Sequence, residues 1–117
     1  MRKEVTVCKV DLEPDGYREG MYNYLRFCGR GRAIGRVYVM DDLAPYKPPL
    51  GYDCIMVAKR AGVELFREQV QYDPLEGIAH VPFDNRVLSS IATWCHLEFS
   101  KDDDVIQTKK FLVFSYR

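Results

Sequence analysis

A charge excess of either sign is missing from this sequence, in which 17 Lys+Arg balance 17 Asp+Glu over 117 residues. General nucleic-acid and anionic-membrane binders carry a basic excess, so composition argues against both as partners. No apolar run approaches the ~20 residues of a spanning helix, so no membrane insertion is expected. The opening Met1-Arg2-Lys3-Glu4 carries an acid and no apolar h-region, so no secretion signal is expected. Histidine is scarce, with 2 copies, and tryptophan occurs once. Cys8, Cys28, Cys54 and Cys95 contain no C-x-x-C pair. Without an oxidising context they read as free, mostly buried thiols that serve as small hydrophobes.

What is present suits a globular body. Apolar residues make up 47% and charged residues 29%. The 8 Tyr and 6 Phe, with the lone Trp, can fill a core without disulfide or metal staples. One domain over residues 1–117 is expected. Turn signals recur about every ten residues between short apolar runs, the pattern of an all-β chain. The expected strands are Val5–Val10, Met21–Phe27, Ala33–Met40, Tyr52–Lys59, Val63–Tyr72, Ile78–Phe83, Ala92–Phe99 and Val105–Tyr116. Val63, Leu65, Phe66 and Val70 fit a helical stripe almost as well as a strand. Glu13–Gly16, Gly29–Arg32, Ala61-Gly62, Asp73–Gly77 and Lys101–Asp104 read as turns or loops. Asp41–Gly51 holds three prolines (Pro45, Pro48, Pro49) and is expected to be irregular, since proline cannot donate to a ladder. Asn85–Ser90 is expected to form at most one helical turn, capped by Asp84. Seven or eight strands in a chain of 117 residues suggest a two-sheet sandwich, with a closed barrel as the alternative.

Catalytic and cofactor readings find little support. Gly29-x-Gly31-x-x-x-Gly35 precedes Val37-Tyr38-Val39, which is strand-like, whereas a phosphate cradle needs a helix N-terminus there. Cys95 and His96 are neighbours, so on a strand they point to opposite faces and share neither a metal nor a proton. His80 is the remaining candidate for a cysteine nucleophile. Asp102-Asp103-Asp104 lacks the spaced layout of a calcium loop and reads as a hairpin tip. No enzyme activity, metal or cofactor is expected.

Surface features point instead to docking. Residues 1–60 carry 11 basic and 8 acidic side chains, and residues 61–117 carry 6 and 9. Arg26, Arg30, Arg32 and Arg36 occur with no acid between them, and arginine suits interfaces because its planar fork pairs with carboxylates and stacks on rings. If Thr93, Cys95, Leu97 and Phe99 face the core, period 2 turns Trp94, His96 and Glu98 outward. An outward Trp is an interface anchor. Both parities of Phe111–Tyr116 are apolar, so Leu112, Phe114 and Tyr116 require cover from a neighbour or a partner. A ligand-binding sandwich, for example one that stacks sugars on Trp94, Tyr46 or Tyr52, is the second reading.

The order of several short motifs carries a resemblance. Asp42-Leu43 and Gly51-Tyr52 are followed by Lys59-Arg60-Ala61-Gly62, Asp73-Pro74-Leu75-Glu76-Gly77 and Val81-Pro82-Phe83, and then by Ile106-Gln107-Thr108-Lys109-Lys110-Phe111 with Val113. In this order, from about Leu25 to Phe114, the chain resembles the N-terminal domain of phage baseplate upper proteins. It departs from that pattern by a proline-rich stretch before Gly51 and by Ser90-Ile91-Ala92 where a glycine is usual. The resemblance implies an immunoglobulin-like sandwich that assembles and anchors parts of a siphophage tail without catalysis. It further implies other virion proteins and further copies of the chain as partners. The place of action would be the virion tail, assembled in the bacterial host cytoplasm.

Overall fold

A computed structural model describes the backbone at residues 2–12, 17–19, 24–28, 33–41, 44–84, 86–87, 91–108 and 110–116. Side chains are described at residues 36–39, 44–82, 84, 86–87, 91–108 and 110–113. Among these residues every regular element is a strand and none is a helix. In chain order they are β1 (Arg2–Leu12), β2 (Tyr17–Glu19), β3 (Tyr24–Cys28), β4 (Ala33–Asp41), β5 (Ala44–Pro45) and β6 (Asp53–Arg60). β7 (Val63–Asp73), β8 (Ile78–Phe83), β9 (Thr93–Lys101), β10 (Asp104–Thr108) and β11 (Phe111–Tyr116) complete the set.

Local chemistry accounts for the tight connections. Arg60 and Val63 are paired across a two-residue turn in which Ala61 and Gly62 both have positive φ, +52° and +79°. That backbone matches the right-handed twist of the flanking strands. In the 73–77 turn, the Asp73 carboxylate accepts from the Leu75 N–H at 2.9 Å and its carbonyl accepts from the Gly77 N–H at 2.8 Å. Gly77 has φ +71°, and a Cβ there would lie 2.8 Å from Pro45 Cβ and 2.9 Å from the Val39 carbonyl, so only glycine fits. The Gly77 carbonyl in turn accepts from the Val39 N–H.

The segment that fits both a strand and a helical stripe is a strand, β7. β7 pairs β6 through a register slip between Ala58 and Lys59. An extra residue in one strand turns successive side chains out of strict alternation, which is why Val63, Leu65, Phe66 and Val70 imitate a helical stripe.

Three features take the strand number past the expected seven or eight. β2 and β5 are additional short strands, and the last expected strand divides into β10 and β11. The reason for the division lies on β9. Gln107 pairs with Glu98, but Phe111 pairs with Cys95, so the register slips by one residue between them. At the slip the Leu97 N–H is taken by the Thr108 hydroxyl at 3.0 Å in place of a backbone carbonyl. Pro45 sits in β5 on the flank of β4, where its lack of an N–H costs no ladder bond. Around residues 84–87 the chain turns, with Asp84 Oδ1 accepting from the Arg86 N–H at 3.0 Å as a cap does, but no helix follows in the described residues.

The strands join into one sheet in the order β10-β1-β4-β8-β7-β6-β9-β11-β3-β2, with β5 beside β4 and a further β10·β9 pairing. It is mainly antiparallel and curls as a half-barrel. Two long strands turn the corners. β7 pairs β6 through Val63–Val70 and β8 through Gln71–Asp73. β1 pairs β10 through Arg2–Val5 and β4 through Thr6–Leu12. Separate sheets were the sequence expectation; these corner strands make the ladder continuous. Enclosed by the curl is a core of Val37, Val39, Ala79 and Val81 against Met56, Ala58, Cys95, Leu97 and Phe99. Full burial of a side chain such as Met56, Leu97 or Phe99 stabilises by about 1.5–3 kcal/mol. Tyr46 closes the core against Phe99, ring centroids 5.1 Å apart, and Tyr72 meets the same ring edge-on at 4.8 Å.

The expected turn at residues 13–16 and the loop at 29–32, with Arg30 and Arg32, lie outside the described residues, as do the side chains of Cys8, Arg26, Cys28, Phe114 and Tyr116.

Candidate functional site

Strand β9 organises the outer face. Thr93, Cys95, Leu97 and Phe99 are fully buried on one side, as period 2 requires. On the other side Trp94 is 45% exposed. Across from it stand Lys59 of β6 and Leu112 of β11, so two expected docking residues, Trp94 and Leu112, are direct cross-strand partners. Leu112 is half-buried.

His96 shares this face but is not open to solvent: it is only 6% exposed. Val57 of β6 lies opposite His96 and opposite Arg67 of β7, and it is fully buried between them. His96 Nε2 lies 2.9 Å from Glu98 Oε2. An ionised carboxylate only accepts, so Nε2 carries the proton. The other Glu98 oxygen accepts from Arg67, whose guanidinium also bonds Glu64 at 3.0 Å. Burial works against the charged form of Glu98, but the His96 and Arg67 hydrogen bonds outweigh it and hold the carboxyl below the usual range. The Glu98 bond, and then the Glu64 bond, raise the pKa of Arg67. His96 is therefore a member of an ionic row beneath the face, not a contact residue on it.

A second cluster anchors the segment after β8. Arg86 bonds Asp84 at 2.8 Å and Glu68 at 2.9 Å, and its guanidinium carbon lies 4.2 Å from the centre of the Phe66 ring. Arg60 donates to the Thr93 hydroxyl at 2.8 Å and to the Arg86 carbonyl at 3.2 Å. Thr93 donates to the Val87 carbonyl at 3.2 Å. This chemistry is structural: each donor has its acceptor.

A pocket of about 190 Å³ opens at the opposite end of the β6–β9 pair. Its floor is Cys54 and Phe99, both buried, and its walls are the half-buried Tyr52 and Tyr72. Pro48, Pro49, Leu50, Gly51 and Pro74 form the rim. Leu50 is 96% exposed, and Leu75, beside Pro74 in the chain, is 80% exposed. Among the described residues no charged side chain lines the pocket. Tyr52 donates its hydroxyl hydrogen to Asp104, and Tyr72 donates to the Tyr46 carbonyl at 2.6 Å. The hydrogen bond to Asp104 is the main cause that raises the Tyr52 pKa, and it holds Asp104 below its usual range.

Arg36 is half-buried in β4, opposite His80 of β8. It lies apart from Trp94, which is on a strand across the curl. His80 stands between Arg36 and Gln71, not beside a thiol in these ladders. Burial pushes the Cys54 thiol up to about 12, and the Cys95 thiol likewise to about 12 despite the opposing charge of Arg60. Neither is a nucleophile at neutral pH. Among the described residues no three His, Cys, Asp or Glu side chains converge as a metal site would need.

Sequence reasoning missed the pocket and the Arg67–Glu98 bond. The signals that pointed to the pocket are Leu50, which follows two prolines in an irregular stretch, and Tyr52, a candidate stacking residue. For Arg67 there was none, since its partner is 31 residues away. The chain matches no protein-family model, and a search of curated proteins found no significant match.

Proposed function

We propose that this chain is a non-catalytic assembly module of a bacteriophage tail, which docks to other virion proteins through the outer face around Trp94. The observation that carries the reading is Trp94 itself. It is a large aromatic, 45% exposed, placed beside Leu112 and Lys59 on the outer sheet face. A half-exposed Trp next to an aliphatic side chain suits an interface hot spot, where Trp is enriched. The order of motifs shared with phage baseplate upper proteins supports the tail as the setting. The layering of β4 and β8 against β6 and β9 supports reading the curled sheet as a variant of the immunoglobulin-like sandwich, with β1 and β7 as corner strands.

Support for the carbohydrate reading is weaker. Tyr46 is a core residue, not a stacking platform. Tyr52 and Trp94 lie at opposite ends of the β6–β9 pair and so cannot flank one glycan.

The test is co-expression with the products of the genes that flank its own, followed by affinity purification. A stoichiometric complex with a tail protein, lost in Trp94→Ala, is the expected result. Flanking genes that encode no virion protein, or a complex that survives Trp94→Ala unchanged, would overturn the reading.

A further inference from the structure

We infer that copies of this chain associate head to tail, with Trp94 of one protomer seated in the Tyr52–Tyr72 pocket of the next. The inference rests on the docking reading above and specifies a partner for it.

The two ends of the contact are on one molecule. In the β6–β9 ladder Lys59 pairs with Trp94, and Cys54 pairs with Phe99. The pocket floor and the exposed Trp are thus five residues apart along β9, about 17 Å, and on opposite faces of the strand. A protomer cannot fill its own pocket with its own Trp94, but it can offer one end and accept at the other.

Size and hydrogen-bonding capacity fit an indole. The volume, about 190 Å³, is below the ~300 Å³ of small-molecule sites and above the ~150 Å³ of a cavity that holds benzene. It is space for one ring system. Both wall hydroxyls have spent their hydrogens, on Asp104 and on the Tyr46 carbonyl, and retain oxygen lone pairs. The two tyrosine hydroxyls therefore present acceptors to the pocket and no donors. Indole is a donor-only ring, so its N–H finds a partner there, whereas a sugar needs both kinds of group.

Charge agrees. Near the pocket, Asp102 and Asp104 act on the Tyr52 hydroxyl and Asp73 on that of Tyr72, with Lys101 beside Gly51 as the opposing charge. At the Trp94 end, Glu64 and Glu98 are already paired with Arg67, and Glu68 and Asp84 with Arg86. That leaves Lys59, Arg60 and Lys110 without a carboxylate among the described residues. An acidic end thus meets a basic end, and exposed pairs of this kind weaken with salt.

Because the chain has 1 Trp, its fluorescence reports this contact directly. The experiment uses the full chain, Trp94→Ala and Leu50→Lys, which places a cation on the exposed pocket rim. Circular dichroism and melting temperature first verify that both variants fold. Raising the concentration of the native chain should shift its emission to the blue and produce larger species by sedimentation velocity, and salt should reverse both. Each variant alone should remain monomeric, a weakening of at least about tenfold. The decisive arm adds Trp94→Ala, which has an intact pocket and no indole, to Leu50→Lys. The emission of the latter should then shift to the blue and a dimer should appear. A native chain that is monomeric at its highest soluble concentration overturns the inference, as does a mixture that shows no shift. A symmetric Trp94-to-Trp94 dimer would give that second result. A native chain that is monomeric yet co-purifies with a tail protein through Trp94 sinks this contact and leaves the docking reading standing.

Discussion

His96 and Glu98, two residues apart on β9 and turned away from the core, meet at 2.9 Å beneath a face that also carries the exposed Trp94. Arg67 completes the arrangement from the far side of β6. The row holds the strand on which the anchor stands. Its stability follows pH with a definite sign.

Glu98 has its folded-state pKa depressed, so its contribution is complete above the unfolded value of about 4.3 and is lost as pH falls through the folded value. Replacing the carboxylate by an amide leaves Arg67 and His96 facing a neutral group. Glu98→Gln should cost about 1–3 kcal/mol at pH 7, measured by urea unfolding. The gap between variant and native chain should narrow as pH drops below 4. An equal gap at pH 7 and pH 3 would remove Glu98 from this role.

The two turn glycines should respond differently to alanine. Gly62 has φ +79° with open space around it, so Gly62→Ala should cost only the backbone strain of about 1–2 kcal/mol. Gly77 has φ +71° and would add a clash with Pro45 and the Val39 carbonyl, so Gly77→Ala should cost clearly more. Paired thermal melts check the order. Equal losses would mean that β5 moves aside freely.

Cys54 and Cys95 should be slow to alkylate in the native chain at pH 8, since burial raises both thiols to about 12. Site-resolved mass spectrometry after iodoacetamide treatment should show modification that follows unfolding in urea. Fast labelling of either thiol in the native state would place it at an accessible surface and remove it from the core.

Where a feature depends on neighbours in the chain, it was legible from residues alone. The inward set Thr93, Cys95, Leu97 and Phe99 follows from the two-residue repeat of a strand, and the Ala61-Gly62 turn from the short distance between paired strands. The same repeat placed His96 outward but could not give its burial, because Val57 and Arg67 reach it through the ladder from β6 and β7. The mixed signal of Val63–Tyr72 was a slip against β6, which no property of the segment itself encodes.

The candidate site divides in the same way. Sequence determined an all-β body, the parity of β9 and hence an outward Trp94, since these rest on local sterics and periodicity. Tertiary structure alone decided that the sheet is continuous, that His96 is held by Glu98, and that residues 48–52, 54, 72, 74 and 99 enclose a pocket. Those outcomes depend on contacts between segments tens of residues apart, and the strength of such contacts is set by the geometry of closure, not by the order of the letters.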